Sequence, residues 1–321
     1  IRNESTPLLI DIDVSHNLLS IPGTINAGQM NQLIPPQSNI GIHMPLPLSY
    51  FLGANNPKKK IDTYKLQLKN LYQHIDLKLE TLKKSLIKEK DVIQQEKILK
   101  ALSSGFIMKS LGWVENNGFQ LLIDNIKLYD IDIIIVLGYE RLYNKLIKHS
   151  SINDITKVKL LKSPGIEQQS GLQRNLKRNL MIKSYFYGLY NELSPYQKIF
   201  HYQDIAIYKA PVNVGNNEHS NDKNSNNGGS SMDSMLPMGQ KATLDLNKPV
   251  LVTPSPHILL HSMLSVSYAS TPDELFTSQS AGYVYVSAMN TEQQTITLLT
   301  PSISELPSQL LVLGTIKWQD S

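Results

Sequence analysis

Two carboxylates stand two residues apart in the run Leu8-Leu9-Ile10-Asp11-Ile12-Asp13-Val14. The apolar run reads as a buried strand, and alternate residues of a strand share a face. Asp11 and Asp13, at its C-terminal edge, are thus placed to hold a magnesium ion, directly or through water, or to orient a hydroxyl nucleophile. A solvated strand end with a helix cap is the competing reading, since paired acids also occur in structural settings. His16 follows and has general-base chemistry, although a loop histidine without a role is the plainer interpretation. Arg174 and Arg178 lie four apart, which on a helix turns both guanidinium groups one way, able to fork onto a phosphoryl group or an RNA phosphate. An exposed basic helix would look the same. Trp113, between Gly112 and the loop Asn116-Asn117-Gly118, is suited to stacking on a nucleobase or to pinning its loop to the core. His257 and His261 have a zinc-like spacing, but the helical zinc motif needs a glutamate after its first histidine, and Ile258 stands there. A metal site is therefore excluded at that pair. The phosphate cradle G-x-x-x-x-G-K-[ST] does not occur, so the chain lacks the element that contributes most to triphosphate binding.

The elements that must position these residues follow from periodicity. Ser20-Ile21-Pro22-Gly23-Thr24 closes the first strand. From Asp62 to about Leu102, Tyr64, Leu68, Leu71, Ile75, Leu79, Leu82 and Leu86 recur at spacings of three and four, which predicts one long helix or two in sequence. Gly105 to Ser110 reads as a second strand, about Phe119 to Tyr129 as a helix, and Ile131 to Leu137 as a third strand, apolar on both faces apart from Asp132 and so expected to be covered on both sides. A short strand at Lys157 to Leu161 precedes the basic stretch that holds Arg174, Lys177, Arg178 and Lys183. This order predicts α/β architecture with a parallel sheet over residues 1–194. After Pro195 the composition changes, and strands are expected at His201 to Tyr208, Pro249 to Thr253, Ala281 to Met289, Gln294 to Leu299 and Gln309 to Trp318, with a helical stretch near His257 to Ser265. A small β-rich domain over 195–321 is predicted, with residues 213–234, almost wholly Asn, Ser, Gly and charge, as a disordered insertion.

Composition bounds the function classes. The 321 residues are 41% hydrophobic and 18% charged, a globular balance for two folding units. Cysteine is absent, which excludes a disulfide framework, a cysteine-based zinc site and a cysteine nucleophile. The net charge of +4 is small for this length, so nucleic-acid contact would need local basic clusters. The longest apolar runs fall far short of a membrane span, and no secretory signal is recognisable. The chain opens on Ile1 and enters a buried strand within a few residues, which reads as loss of upstream sequence.

In one order, these segments resemble the Clp-type subunit of the pre-mRNA cleavage complex, a family of polynucleotide 5′-hydroxyl kinases and their inactive relatives. The resemblance runs through Asp11-Ile12-Asp13-Val14 with Ser20 to Thr24, Gly112-Trp113-Val114, Glu140-Arg141-Leu142-Tyr143-Asn144, Lys162-Ser163 with Gly165, and Tyr185-Phe186-Tyr187-Gly188. It continues through Leu236-Pro237-Met238-Gly239, Val252-Thr253-Pro254, Leu264 to Ser267, Ala281-Gly282 and Leu306-Pro307. It implies an N-terminal β-sandwich, a P-loop kinase-like domain and a C-terminal α/β domain, of which the first part, the first strand and the P-loop are missing here. It implies that Asp13 is the acid linked to magnesium and the attacking hydroxyl, that Arg174 and Arg178 form the lid over the phosphates, and that Trp113 lies near the RNA end. ATP and Mg are the cofactors implied for the intact fold, with none expected on this fragment.

Kinase-competent relatives carry Gly-Gln where this chain has Ser15-His16, and an arginine is common where Met181 stands. The implied function is therefore a non-catalytic nuclear subunit for pre-mRNA 3′-end cleavage and polyadenylation. Its expected partners are the scaffold subunit of cleavage factor IA and other 3′-end processing factors, with RNA as a further ligand and no membrane. The Asn-rich insertion suits a fungal sequence. The alternative is an ATP-dependent 5′-hydroxyl kinase acting on RNA ends. A third expectation is a damaged product that folds poorly alone, because a parallel sheet without its first strand exposes an edge.

Overall fold

The computed structural model describes residues 5–31, 47–166, 169–210 and 248–319. The predicted insertion at 213–234 and the motif Leu236 to Gly239 lie outside them. The first strand is β1 (Leu8–Asp11), which carries Asp11 alone; Asp13 lies in the turn beyond it, so the expectation that both acids share one strand face is corrected, because Asp11 itself accepts the Asp13 N–H and bends the chain out of the ladder. β1 takes the third position of a four-stranded sheet with β2 (Thr24–Gln29), β3 (Leu48–Phe51) and β4 (Phe106–Lys109), in the order β3-β2-β1-β4. β1 runs parallel to β4 and antiparallel to β2. The parallel register sets Asp11 opposite Lys109. β2 and β3 were not anticipated from sequence, because the Pro/Gly break before Thr24 hides a return strand.

The long apolar-periodic stretch is two helices, α1 (Ile61–Lys88) and α2 (Val92–Ser103), broken where Asp91 caps the second by accepting the Ile93 N–H at 2.9 Å. Tyr64, Leu68, Leu71 and Ile75 of α1 are buried on Ile10, Ile12, Ile25 and Tyr50. This packing makes α1 the lid of the first core, as its three-four spacing requires.

After β4, helix α3 (Asn117–Leu128) crosses to β5 (Ile133–Leu137), which pairs in parallel with β6 (Thr156–Leu160); α4 (Glu140–Ile147) lies between those two strands in sequence. The expectation that β5 is covered on both faces is corrected. Ile126 of α3 and Leu146 of α4 bury Val136 on one face, but Ile133, Ile135 and Leu137 of the other are 56%, 58% and 68% exposed. The physical reason is that, among the described residues, the apolar cluster of α3 and α4 packs on the Val136 face alone; β4 and β5, although joined by a helical crossover, also belong to separate sheets. Each therefore presents an edge that a parallel α/β sheet normally pairs.

Helix α5 (Gly171–Tyr187) carries the arginines, and beyond it seven strands form one sheet in the order β7-β12-β11-β10-β13-β8-β9. They are β7 (Tyr196–His201), β8 (Ala206–Lys209), β9 (Val250–Leu251), β10 (Ser262–Ser267), β11 (Ser280–Asn290), β12 (Thr295–Thr300) and β13 (Leu310–Lys317). The single strand expected over His201 to Tyr208 is two, parted by a turn in which Asp204 accepts the His201 N–H. The helix expected near His257 to Ser265 is only α6 (Pro256–Leu259), and the rest is β10. All six residues of β10 are buried at the centre of the sheet; the alternation Leu264-Ser265-Val266-Ser267 is a strand signal that the helical expectation passed over. No helix among the described residues is long and apolar enough to cross a membrane.

The two halves meet at a glycine pair. Gly53 has φ of +67°, and its carbonyl accepts the Thr315 N–H at 2.6 Å; a Cβ built on Gly314 would lie 2.7 Å from the Gly53 carbonyl oxygen. Gly314→Ala is expected to cost about 1–3 kcal/mol through overpacking. A urea melt checks this, and an unchanged midpoint would show that the junction has slack.

Candidate functional site

The site begins with the turn that follows β1. Asp11 is fully buried, and its carboxylate accepts the N–H groups of Asp13 at 2.9 Å and Leu18 at 2.7 Å. Asp13 in turn accepts the Ser15 N–H at 3.0 Å. These side-chain turns curl the backbone, and both carboxylates reach one ammonium. Tyr64 of α1 holds the turn from beneath, donating to the Ile12 carbonyl at 2.9 Å.

Lys109 spans both acids. Its Nζ lies 3.1 Å from Asp11 Oδ2 and 3.2 Å from Asp13 Oδ2, and it also donates to the His16 carbonyl. Sequence reasoning missed Lys109. A usable signal was its place at the end of the second strand, which in parallel register with the first must face Asp11. Burial pushes the Asp11 carboxyl up to about 6, against the downward pull of Lys109 and of the Asp13 and Leu18 N–H groups.

The basic helix closes the site from the other side. Arg178 of α5 donates from Nε to the Ser15 carbonyl at 3.2 Å and from a terminal nitrogen to Ser15 Oγ at 3.3 Å. Arg174 is exposed one turn earlier, and its charge bears on both Arg178 and His16. His16 is half-buried with Nε2 unpartnered. Its basicity is lowered, first by burial and then by Arg178, Lys109 and Arg174, while Asp13 works in the opposite sense. Asp11, Asp13, His16, Arg174 and Arg178 are therefore brought into one electrostatic neighbourhood, with the unpredicted Lys109 at its centre.

Trp113 has a different setting. Its ring packs on the first core, lies against Gly118 at the start of α3, and has the Lys58 ammonium 5.1 Å from its centroid. A Cβ at Gly118 would come within 2.7 Å of the indole, so glycine there is what lets the loop lie flat on the helix. His261 is paired with Tyr285 at 2.7 Å. Among the described residues, no group of three or more His, Cys, Asp or Glu gathers as a metal centre. As arranged, the two carboxylates are met by the Lys109 ammonium and by backbone N–H groups.

With this geometry in place, comparison with known proteins is informative. A family model described as the mRNA cleavage and polyadenylation factor CLP1 P-loop matches residues 1–188, and one described as pre-mRNA cleavage complex II protein Clp1 matches residues 193–320. The chain is 31% identical to a CLP1 homolog of Arabidopsis thaliana, covering 98% of this chain and 64% of that protein. It is 31% identical to a CLP1 homolog of Dictyostelium discoideum, covering 100% and 63%. Against the polyribonucleotide 5′-hydroxyl-kinase Clp1 of Gallus gallus the identity is 30%, covering 100% and 67%. The chain thus spans slightly under two thirds of the plant and slime-mould relatives. Among solved structures, a Clp1p–Pcf11p complex superposes with a TM-score of 0.75 at 19% identity, over 98% of this chain and 69% of that one.

The buried pair yields a pH-dependent prediction. Folding raises the Asp11 carboxyl from its ordinary 3.8 to about 6, so this group favours folding below the lower value and loses that contribution as pH climbs through the higher one. Lys109→Met leaves the Asp11 charge buried alone and is expected to cost about 3 kcal/mol at pH 8. At pH 5, where Asp11 holds its proton, the cost should shrink. Urea denaturation at both pH values measures it, and an equal loss at each would contradict the pairing.

Proposed function

The chain belongs to the Clp1 family of pre-mRNA cleavage factors, and from that premise we propose that it serves as a non-catalytic subunit of nuclear pre-mRNA 3′-end cleavage and polyadenylation. Its work would be to join the scaffold subunit of cleavage factor IA to other processing factors; the similarity in fold to Clp1p in a Clp1p–Pcf11p complex supports a role in such an assembly. In the intact protein a bound ATP would stabilise its domain by mass action without turnover; none is expected on this fragment. The observation that carries this reading is Lys109. An ammonium within 3.2 Å of both carboxylates supplies from within the protein the counter-charge that magnesium would bring to Asp13 in a kinase. Ser15-His16 also stands where the resemblance places Gly-Gln in competent kinases.

A second reading, the 5′-hydroxyl kinase, draws support from the convergence of Asp13, His16 and Arg178 on one turn. In that case Asp13 orients the attacking hydroxyl, and Arg174 and Arg178 stabilise charge on the transferring group. ATP would supply the phosphoryl group. Transfer of labelled phosphate from ATP to a 5′-hydroxyl oligoribonucleotide separates the two readings, assayed on this chain and on the protein in its full cellular length. No transfer is expected in either case. Transfer that disappears in Asp13→Asn would establish the kinase instead.

A further inference from the structure

The acid turn and the arginine helix are connected twice, once directly and once by a longer route through the C-terminal sheet. The direct link is Arg178 on Ser15. Among the described residues, the first half of α5 has little other support: residues 171–176 are all exposed, including Leu172 and Leu176. The second half is clamped. Ile182 and Phe186 are buried, Phe186 stacks on Trp318, and the Tyr185 hydroxyl accepts the Tyr283 N–H of β11 at 3.0 Å with the two rings 5.6 Å apart.

From Tyr283 the longer route runs back to the acids. The Tyr283 hydroxyl is bonded to Ser49 Oγ of β3, which is also bonded to Asn26 of β2. Asn26 donates to Thr24 Oγ1 at 2.7 Å. Asn17 donates to the Thr24 carbonyl at 3.0 Å and to the Asp11 carbonyl at 3.4 Å. Every residue of this route from Asn17 to Tyr283 is buried. The connections close a ring: acid turn, β2, β3, β11, α5, Arg178, acid turn. Tyr185 and Arg178 lie seven positions apart, two turns along one face of the helix, so a tilt at the tyrosine is carried to the guanidinium.

We propose that Tyr185 and Tyr283 are positioning residues, through which the C-terminal sheet sets where Arg178 stands relative to Asp13. The functional meaning rests on the reading of that cluster as the family's phosphate site, whereas the mechanical coupling does not. A polar tyrosine junction suits this role, because one lost hydrogen bond in a buried chain leaves its partner unsatisfied and frees the element it held.

The absence of cysteine allows a direct test in the whole chain. Spin labels on Leu18→Cys, beside the acid turn, and Leu172→Cys, on the exposed half of α5, report the separation by pulsed electron resonance. The parent should give one narrow distance distribution. Tyr185→Phe and Tyr283→Phe should widen it and add a longer component. Val286→Ala, in the core on the other face of the sheet, should lower the melting temperature and leave the distribution narrow. Should either tyrosine variant fail to fold, Ser49→Ala breaks the same route from the β3 side and is expected to widen the distribution. Narrow distributions in all the route variants, or equal widening in Val286→Ala, would overturn the proposal. The distance readout needs no nucleotide, so it tests the coupling by itself, whereas failure of the intact protein, with its phosphate-binding loop, to bind ATP would count against the phosphate-site reading and leave the coupling standing.

Discussion

A carboxylate with no exposure, such as Asp11, remains in a fold only where donors and a counter-charge meet it. Here two backbone N–H groups and Lys109 do so, and each commits a different part of the chain. The N–H groups commit the turn after β1. The ammonium commits β4, because Lys109 reaches Asp11 only when the two strands pair in the register that sets them opposite one another. A one-residue slip would send Lys109 to the other face of the sheet and leave the acid alone. Tyr64, Asn17 and Arg178 then attach α1, β2 and α5 to the same turn. The polar centre thus fixes register and docking, while the apolar clusters on either side of it supply most of the driving force.

What the sequence disclosed follows from where its signals were local. The buried face of α1 was legible because Tyr64, Leu68, Leu71 and Ile75 repeat with the period of a helix, and the cap at Asp91 divides that stretch as its type allows. β10 was read as part of a helix although Leu264-Ser265-Val266-Ser267 alternates, because the true helix, Pro256–Leu259, stops only a few residues before it. β5 was legible as a strand, but its coverage was not, since coverage depends on which strands stand beside it. The acids and the arginines were recognisable from type and spacing. Lys109 was not, because its importance arises from pairing with a residue 98 positions away, a relation that composition and local period do not carry.

The candidate site is composite in the same sense. Its acids come from a strand end, its ammonium from the neighbouring strand, and its guanidinium groups from a helix whose far half is packed against the C-terminal sheet. Membership of the Clp1 family gives these groups a common setting, and the internal ion pairing gives them a structural use that requires no reaction. On the proposed reading the neighbourhood serves assembly, since contacts that would orient a substrate also hold three elements together.

The central claim is that Asp11 and Asp13 are satisfied within the protein. Carbon-13 resonances of the two carboxyl groups, followed through a pH titration with and without millimolar magnesium, test it most directly. Internal neutralisation predicts an Asp11 carboxyl that titrates near pH 6 and resonances of both groups that magnesium leaves unmoved. A magnesium-dependent shift at Asp11 and Asp13 at neutral pH would contradict it.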